Sequence, residues 1–187
     1  PDMLWFMTDP RFFGWLWDIE DEIRAHIPMV YYHVWDNRPY PTFNKPLYDS
    51  NDVICTISKV TDDIVKTVSP SVERHYIPHI VEPNIFKKIV GDKVEEVRKQ
   101  SNLGDKFTIF WNSRNARRKL SGSLIFWFND FLNIVGRDKA TLLMHTDPKD
   151  QHGQDLEAII KELDLTKGQV LFSLRRTPPE ELCMMYN

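Results

Sequence analysis

"FTIFWNSRNARRKLSGSLIFWF", Phe107 to Phe128, joins two apolar runs through a polar junction. Phe107–Trp111 is short, apolar and β-prone, the pattern of a strand buried on both faces. Ser121 opens a second apolar run with the length of a helix. Between the runs lie four cations within six residues: Arg114, Arg117, Arg118 and Lys119. In open α/β sheets, ligands gather beyond the carboxyl ends of the strands, and a helix N-terminus favours anions. Arg offers a planar fork for phosphate oxygens and Lys a mobile point charge, so this loop suits a diphosphate. A solvated basic turn is the other reading that composition allows. The loop lacks the glycines of a dinucleotide fingerprint or a P-loop, so side chains rather than a backbone cradle would hold the phosphate.

The same alternation extends in both directions from this stretch. On its C-terminal side the periodicity predicts a strand over 107–112, a helix over 121–134, a strand over 140–145, a helix over 154–163 and a strand over 169–173. A last helix opens near Pro178, where two prolines followed by Glu180 and Glu181 suit a first turn. On its N-terminal side, strands are expected over Met3–Thr8, 27–34, 52–58 and 73–78. Phe13–Ala25 reads as one amphipathic helix. Ser58 is placed to cap a helix over "KVTDDIVKTV". The polar segment from 83 to 106, with one surface helix over Val94–Ser101 stopped near Gly104, reads as a connection. The expected architecture is therefore α/β, two partial Rossmann-like units with parallel sheets in series, covering 1–82 and 107–187.

The bulk numbers exclude little but point the same way. The chain has 187 residues, 42% hydrophobic and 27% charged, within the range of ordinary globular proteins. A net charge of −3 gives no general attraction to nucleic acid or anionic membranes. No apolar run approaches the roughly 20 residues that span a bilayer. Cys55 and Cys183 lie far apart in apolar segments and read as free buried thiols in a reducing compartment, so the cytoplasm is expected. Peripheral attachment of a longer parent to a membrane stays open. Pro1 opens the chain on an apolar strand and "ELCMMYN" ends it in mid-helix, so an internal segment of a longer protein is expected.

Three separated stretches resemble the family-4 glycosyltransferases of the GT-B fold. "YIPHIVEPNIF" (76–86) is similar to that family's crossing between domains, I-P-N-G-V-D-x-x-x-F. "WNSRNARRKLSGSLIFWF" resembles its strand–loop–helix, with Lys five residues after the Arg, as Lys119 follows Arg114. "QVLFSLRRTPPEELCMMYN" (169–187) resembles V-x-F-x-G-x-v-x-x-x-E-L-x-x-L-Y. Weaker likeness lies in "PMVYYHVWD" and "VICTISKVTDDI". The sequence departs from the family pattern at Ile80, Asn112–Ser113 and Leu120, where glycine is usual, and at "LLMHTD". The family's E-x7-E pair would lie beyond Asn187.

The resemblance implies a hexose transfer, with retention, from a UDP- or GDP-sugar to a glycan or other hydroxyl acceptor. It makes residues 1–82 the end of the acceptor-side domain, 83–106 the connection and 107–187 the start of the nucleotide-sugar domain. It assigns Arg114 and Lys119, assisted by Arg118, to the donor diphosphate, where cations stabilise the charge that grows on the leaving group. It places His33 at a strand end facing a cleft, near the reacting sugar, with Asp36 orienting it or binding acceptor hydroxyls. A satisfied strand-end histidine is the competing reading of His33. Arg175 and Arg176 stand where the family meets the base and ribose, and a surface pair is the alternative there. No cofactor or metal is expected, the nucleotide sugar being a co-substrate. "HTDPKDQH" (145–152) matches no zinc spacing. Two other functions compete: a catalytically inactive scaffold of the same fold, and a nucleic-acid-binding module using the 114–119 cluster.

Overall fold

The short apolar runs close into two parallel sheets in a computed structural model that describes residues 1–101 and 103–187. The chain divides into two units, Pro1–Val81 and Glu82–Asn187.

In the first unit, β1 (Leu4–Thr8) leads through a 3-10 turn at Pro10–Phe12, capped by the Asp9 carboxylate, into α1 (Gly14–Trp17) and α2 (Glu20–Arg24). Then follow β2 (Met29–His33), α3 (Lys45–Asp49), β3 (Val53–Thr56), α4 (Lys59–Val68) and β4 (Glu73–Tyr76). The sheet order is β1-β2-β3-β4, all parallel. Phe6, Tyr31 and Ile54 stand level across it and meet Leu16, Trp17, Ile64 and Val65 in one core. Fully buried side chains such as Ile54 and Ile64 each contribute on the order of 2 kcal/mol of apolar burial. Ser58 caps α4, its hydroxyl accepting from the Thr61 N–H at 3.1 Å.

Two features differ from the sequence reading. The single helix expected over Phe13–Ala25 is two short ones, broken at Asp18 and Ile19. Its first turn is rich in tryptophan, a modest helix former, and Trp17 packs edge-on against Phe6 and Tyr31 at 5.9 and 5.6 Å instead of continuing the spiral. The second feature, α3, has no counterpart among the expected elements, although Pro46 in its first turn is a start signal.

The second unit runs α5 (Lys93–Gln100), β5 (Phe107–Asn112), a 3-10 turn at Arg117–Lys119, α6 (Ser121–Val135), β6 (Ala140–His145), α7 (Leu156–Glu162), β7 (Val170–Ser173) and α8 (Pro179–Tyr186). Its sheet order is β5-β6-β7, again parallel. Ile125, Phe128 and Leu132 of α6 meet Leu142 and Met144 of β6 and Leu156 and Ile160 of α7 in a second core. The strands are apolar on both faces, yet the two faces are covered unequally. Phe110, Leu143 and Leu171 line a groove of about 1240 Å³ bordered by α5 and α8. Tyr186 stacks edge-on to Phe110 at 4.9 Å and its hydroxyl accepts from Asn112 Nδ2 at 3.0 Å, which ties α8 to β5.

Candidate functional site

Parallel strands end together, so the loops after them share one edge of the sheet. In the second unit Asn112, His145 and Ser173 stand level at those carboxyl ends, and His145 Nδ1 lies 3.0 Å from Ser173 Oγ. The β5–α6 and β6–α7 loops then join through Asn115, which is 0% exposed. Its amide NH2 donates to the carbonyls of Gln154, Asp147 and Pro148 at 2.7, 3.2 and 3.4 Å. Its carbonyl oxygen accepts from Ser121 Oγ at 2.6 Å and from the Gln154 N–H at 3.3 Å. The Arg117 N–H donates to the His152 carbonyl at 3.2 Å. A buried amide that meets every donor and acceptor requirement rigidifies what it connects.

Gly153 makes this junction possible, and Gly122 leaves room for the Gln154 side chain. At Gly153 a Cβ would overlap the backbone oxygen of Asn115, and at Gly122 it would lie 2.7 Å from Gln154 Oε1. That same oxygen accepts the Gly122 N–H at 2.9 Å. One of the free donors expected of the α6 N-terminus is therefore already satisfied by the neighbouring loop.

The cations ride on this platform. Arg114 donates from Nε to Asp150 Oδ2 at 2.6 Å and from Nη2 to Asp150 Oδ1 at 3.1 Å, and Nη2 lies 2.9 Å from His152 Nδ1. Those bonds from Arg114, helped by the His152 N–H on Oδ1, hold the Asp150 carboxyl well below the usual carboxylate range and raise Arg114. Arg117, Arg118 and Lys119 are exposed on the 3-10 turn and form no ion pair among the described residues. Leu120, which follows them, has left-handed backbone angles (φ 54°, ψ 36°), at a position where the family resemblance has glycine.

The acceptor-side residues are placed differently. His33 is 0% exposed, and both ring nitrogens are occupied, Nδ1 by Tyr31 Oη at 2.9 Å and Nε2 by Tyr48 Oη at 2.7 Å. Tyr31 donates its proton to the Thr8 carbonyl at 2.8 Å, so His33 Nδ1 must be the donor to Tyr31 and Nε2 the acceptor from Tyr48. Burial lowers the His33 pKa to about 4, with Asp9 acting weakly in the opposite direction. The expectation of a histidine facing an open cleft is thus corrected: His33 is a satisfied core group, because two tyrosines converge on the strand end. Asp36 is exposed and makes no hydrogen bond among the described residues.

The remaining expectations divide similarly. Arg175 is paired with Glu181, and Arg176 is exposed without an ion pair among the described residues. Near the N-terminus Phe6 and Trp17 are buried in the core with Phe13 packed against it, whereas Trp5 and Trp15 are exposed. Among the described residues no group of His, Cys, Asp or Glu is arranged to hold a metal ion, and no helix is long and apolar enough to cross a membrane. Cys55 and Cys183 are free and buried. Asn115 and Gln154 join the candidate site although the sequence reading does not single them out, and Asp150 and His152 fall in the 145–152 stretch, which it weighs only as a zinc site. The level ends of β5 and β6, with Asp-Pro and His-Gly turns after the second, are the signal for them.

No family model matches the chain, and no curated protein matches its sequence. Solved structures do share its fold. An alpha,alpha-trehalose 6-phosphate synthase from Burkholderia multivorans superposes with a TM-score of 0.67 at 13% identity, over 97% of this chain and 48% of that one. A trehalose-6-phosphate synthase solved in work on glycosyl transfer with retention gives a TM-score of 0.62 at 14% identity, over 97% and 50%. HepE of Anabaena, in complex with UDP-glucose, gives 0.55 at 14%, over 84% and 45%. The chain spans about half the length of these solved chains. Its architecture is that of the GT-B glycosyltransferases, an α/β fold with two parallel-sheet units in series.

Proposed function

We propose that the chain is part of a glycosyltransferase that moves a hexose, with retention, from a UDP- or GDP-sugar to a glycan or other hydroxyl acceptor, with family 4 as the group its motifs resemble. The observation that carries this reading is the rigid two-loop platform at the strand ends of the second unit, which presents Arg114, Arg117, Arg118 and Lys119 together. Its support comes also from the shared fold with a chain solved with UDP-glucose and with one studied for retaining transfer. As the glycosidic bond breaks, charge accumulates on the departing diphosphate, and cations fixed in advance lower the barrier. Arg114 and Lys119 take the diphosphate, Arg118 assists, and Arg175 and Arg176 stand at the end of β7 for the nucleoside. Asp36, an exposed carboxylate, is the acceptor-side candidate. No metal or other cofactor enters this scheme, because side chains supply the positive charge.

The test is a donor screen on the full-length protein, with melting temperature as the first readout and sugar transfer as the second. UDP or GDP is expected to raise the melting temperature, and Arg114→Ala to reduce transfer by about 10²-fold or more. A protein that neither nucleotide stabilises, and whose transfer Arg114→Ala leaves unchanged, would remove the proposal.

A further inference from the structure

A guanidinium carries five N–H donors in a flat fork, and at Arg114 the neighbouring loop occupies one edge of it. Nε and Nη2 meet the two oxygens of Asp150 at 2.6 and 3.1 Å, and Nη2 also meets His152 Nδ1 at 2.9 Å. Nη1 makes no hydrogen bond among the described residues. Exposure sets the order from inside to outside: the Asp150 side chain is 12% exposed and that of Arg114 63%. Asp150 is itself pinned, since Oδ1 accepts the His152 N–H at 2.9 Å. The loop carrying both is tied to the basic loop by Asn115, Gln154 and the Arg117–His152 backbone bond. An anion approaching from solvent therefore meets the free Nη1 edge, with the carboxylate behind it.

We propose that Asp150 and His152 are positioning residues that hold Arg114 so that its free edge takes an oxygen of the nucleotide sugar's diphosphate, an inference that rests on the function proposed above. Two effects of Asp150 oppose each other. It repels an incoming anion, and it fixes a long side chain that the ligand would otherwise have to order. The repulsion acts from behind a cation at an exposed surface, where such effects are small. Ordering one rotamer-rich side chain at the moment of binding lowers affinity by up to about tenfold. Positioning therefore wins, and removing the carboxylate weakens binding instead of strengthening it.

The experiment titrates UDP, and separately uridine, into the full-length protein and its Asp150→Ala, Asp150→Asn, His152→Ala, Arg114→Ala and Arg114→Ala/Asp150→Ala variants. Asp150→Ala is expected to weaken UDP about tenfold and leave uridine unchanged, a split that general loosening of the fold would not produce. Asp150→Asn, which keeps one acceptor oxygen for Arg114, is expected to fall between that variant and the natural protein, and it serves if Asp150→Ala does not fold. His152→Ala is expected to lose less than Asp150→Ala. The double variant is expected to bind UDP no more weakly than Arg114→Ala alone, because Asp150 acts through Arg114. If Arg114→Ala weakens UDP while Asp150→Ala and Asp150→Asn bind it as tightly as the natural protein or more so, the positioning role is overturned and the function stands. If the natural protein binds neither UDP nor GDP, both fall together.

Discussion

The two units solve one problem in opposite ways. Each is a parallel sheet whose strand ends bring polar groups to a single edge, and each has a buried polar residue there with its hydrogen-bonding capacity filled. In the first unit that residue is His33, closed between Tyr31 and Tyr48 with no route to solvent. In the second it is Asn115, and the bonds it makes hold two loops together so that charged neighbours face outward. A saturated polar core group can thus seal a strand end or build a platform on it. What separates the outcomes is the size of the surrounding side chains. Tyrosines fill the space around His33, whereas Gly153 lets a second backbone come within reach of the Asn115 loop and Gly122 leaves room for the Gln154 side chain.

Removing the platform's hub tests the comparison most severely. Asn115→Leu leaves the Ser121 hydroxyl, the Gln154 N–H and several carbonyls without their partner, and unfilled buried groups cost about 1–3 kcal/mol each. A destabilisation of about 3 kcal/mol or more in urea unfolding is expected, together with loss of nucleotide binding. A stable Asn115→Leu protein would show that the loops hold together without the amide.

The sealed histidine offers a smaller effect with a distinctive pH signature. His33 is neutral when folded, with a pKa near 4, and titrates near 6.5 once unfolded. Between those values the unfolded chain binds the extra proton, so stability falls as pH drops through that window and is fully present above it. The slope is about 1.4 kcal/mol per pH unit. His33→Phe, which cannot take a proton, is expected to be less stable at pH 7 because two tyrosine hydroxyls lose a partner. It is also expected to show a loss shallower by about 2 kcal/mol between pH 6.5 and 5. Parallel pH profiles for the two proteins would mean that His33 is reached by water. Tyr48→Phe, removing one hydrogen bond to the ring, is expected to cost about 1 kcal/mol.

The smallest effect sharpens the other side. Leu120 is 54% exposed and holds a left-handed backbone angle that leucine adopts at a cost. Leu120→Gly relieves that cost and loses little burial, so a gain of about 0.5–1 kcal/mol is expected by thermal unfolding. A loss would show that the Leu120 side chain supports the basic turn.

Much of the fold is legible in the amino-acid pattern. Strands 107–112 and 140–145 have the bounds that their apolar runs predict, and the helix after Ser58 begins at its cap. The helix expected over Phe13–Ala25 is instead two short ones, broken at Asp18 and Ile19 next to Trp17, whose ring packs on Phe6 and Tyr31. At the site, the density of cations between Arg114 and Lys119 is plain in the sequence, and the state of each is not.

Local chemistry, acting over a turn of helix or a pair of alternating residues, is written in the sequence and determined where strands, helices, caps and the basic loop fall. Only the tertiary structure decided that Arg114 meets Asp150, 36 residues away, that Asn115 reaches Gln154 across 39, and that Tyr48 closes over His33 from 15 residues further on. Those pairings depend on which strands lie side by side and at what register, because the register sets which loops start level with one another at the sheet edge, and on β2 a one-residue slip would turn His33 to the opposite face.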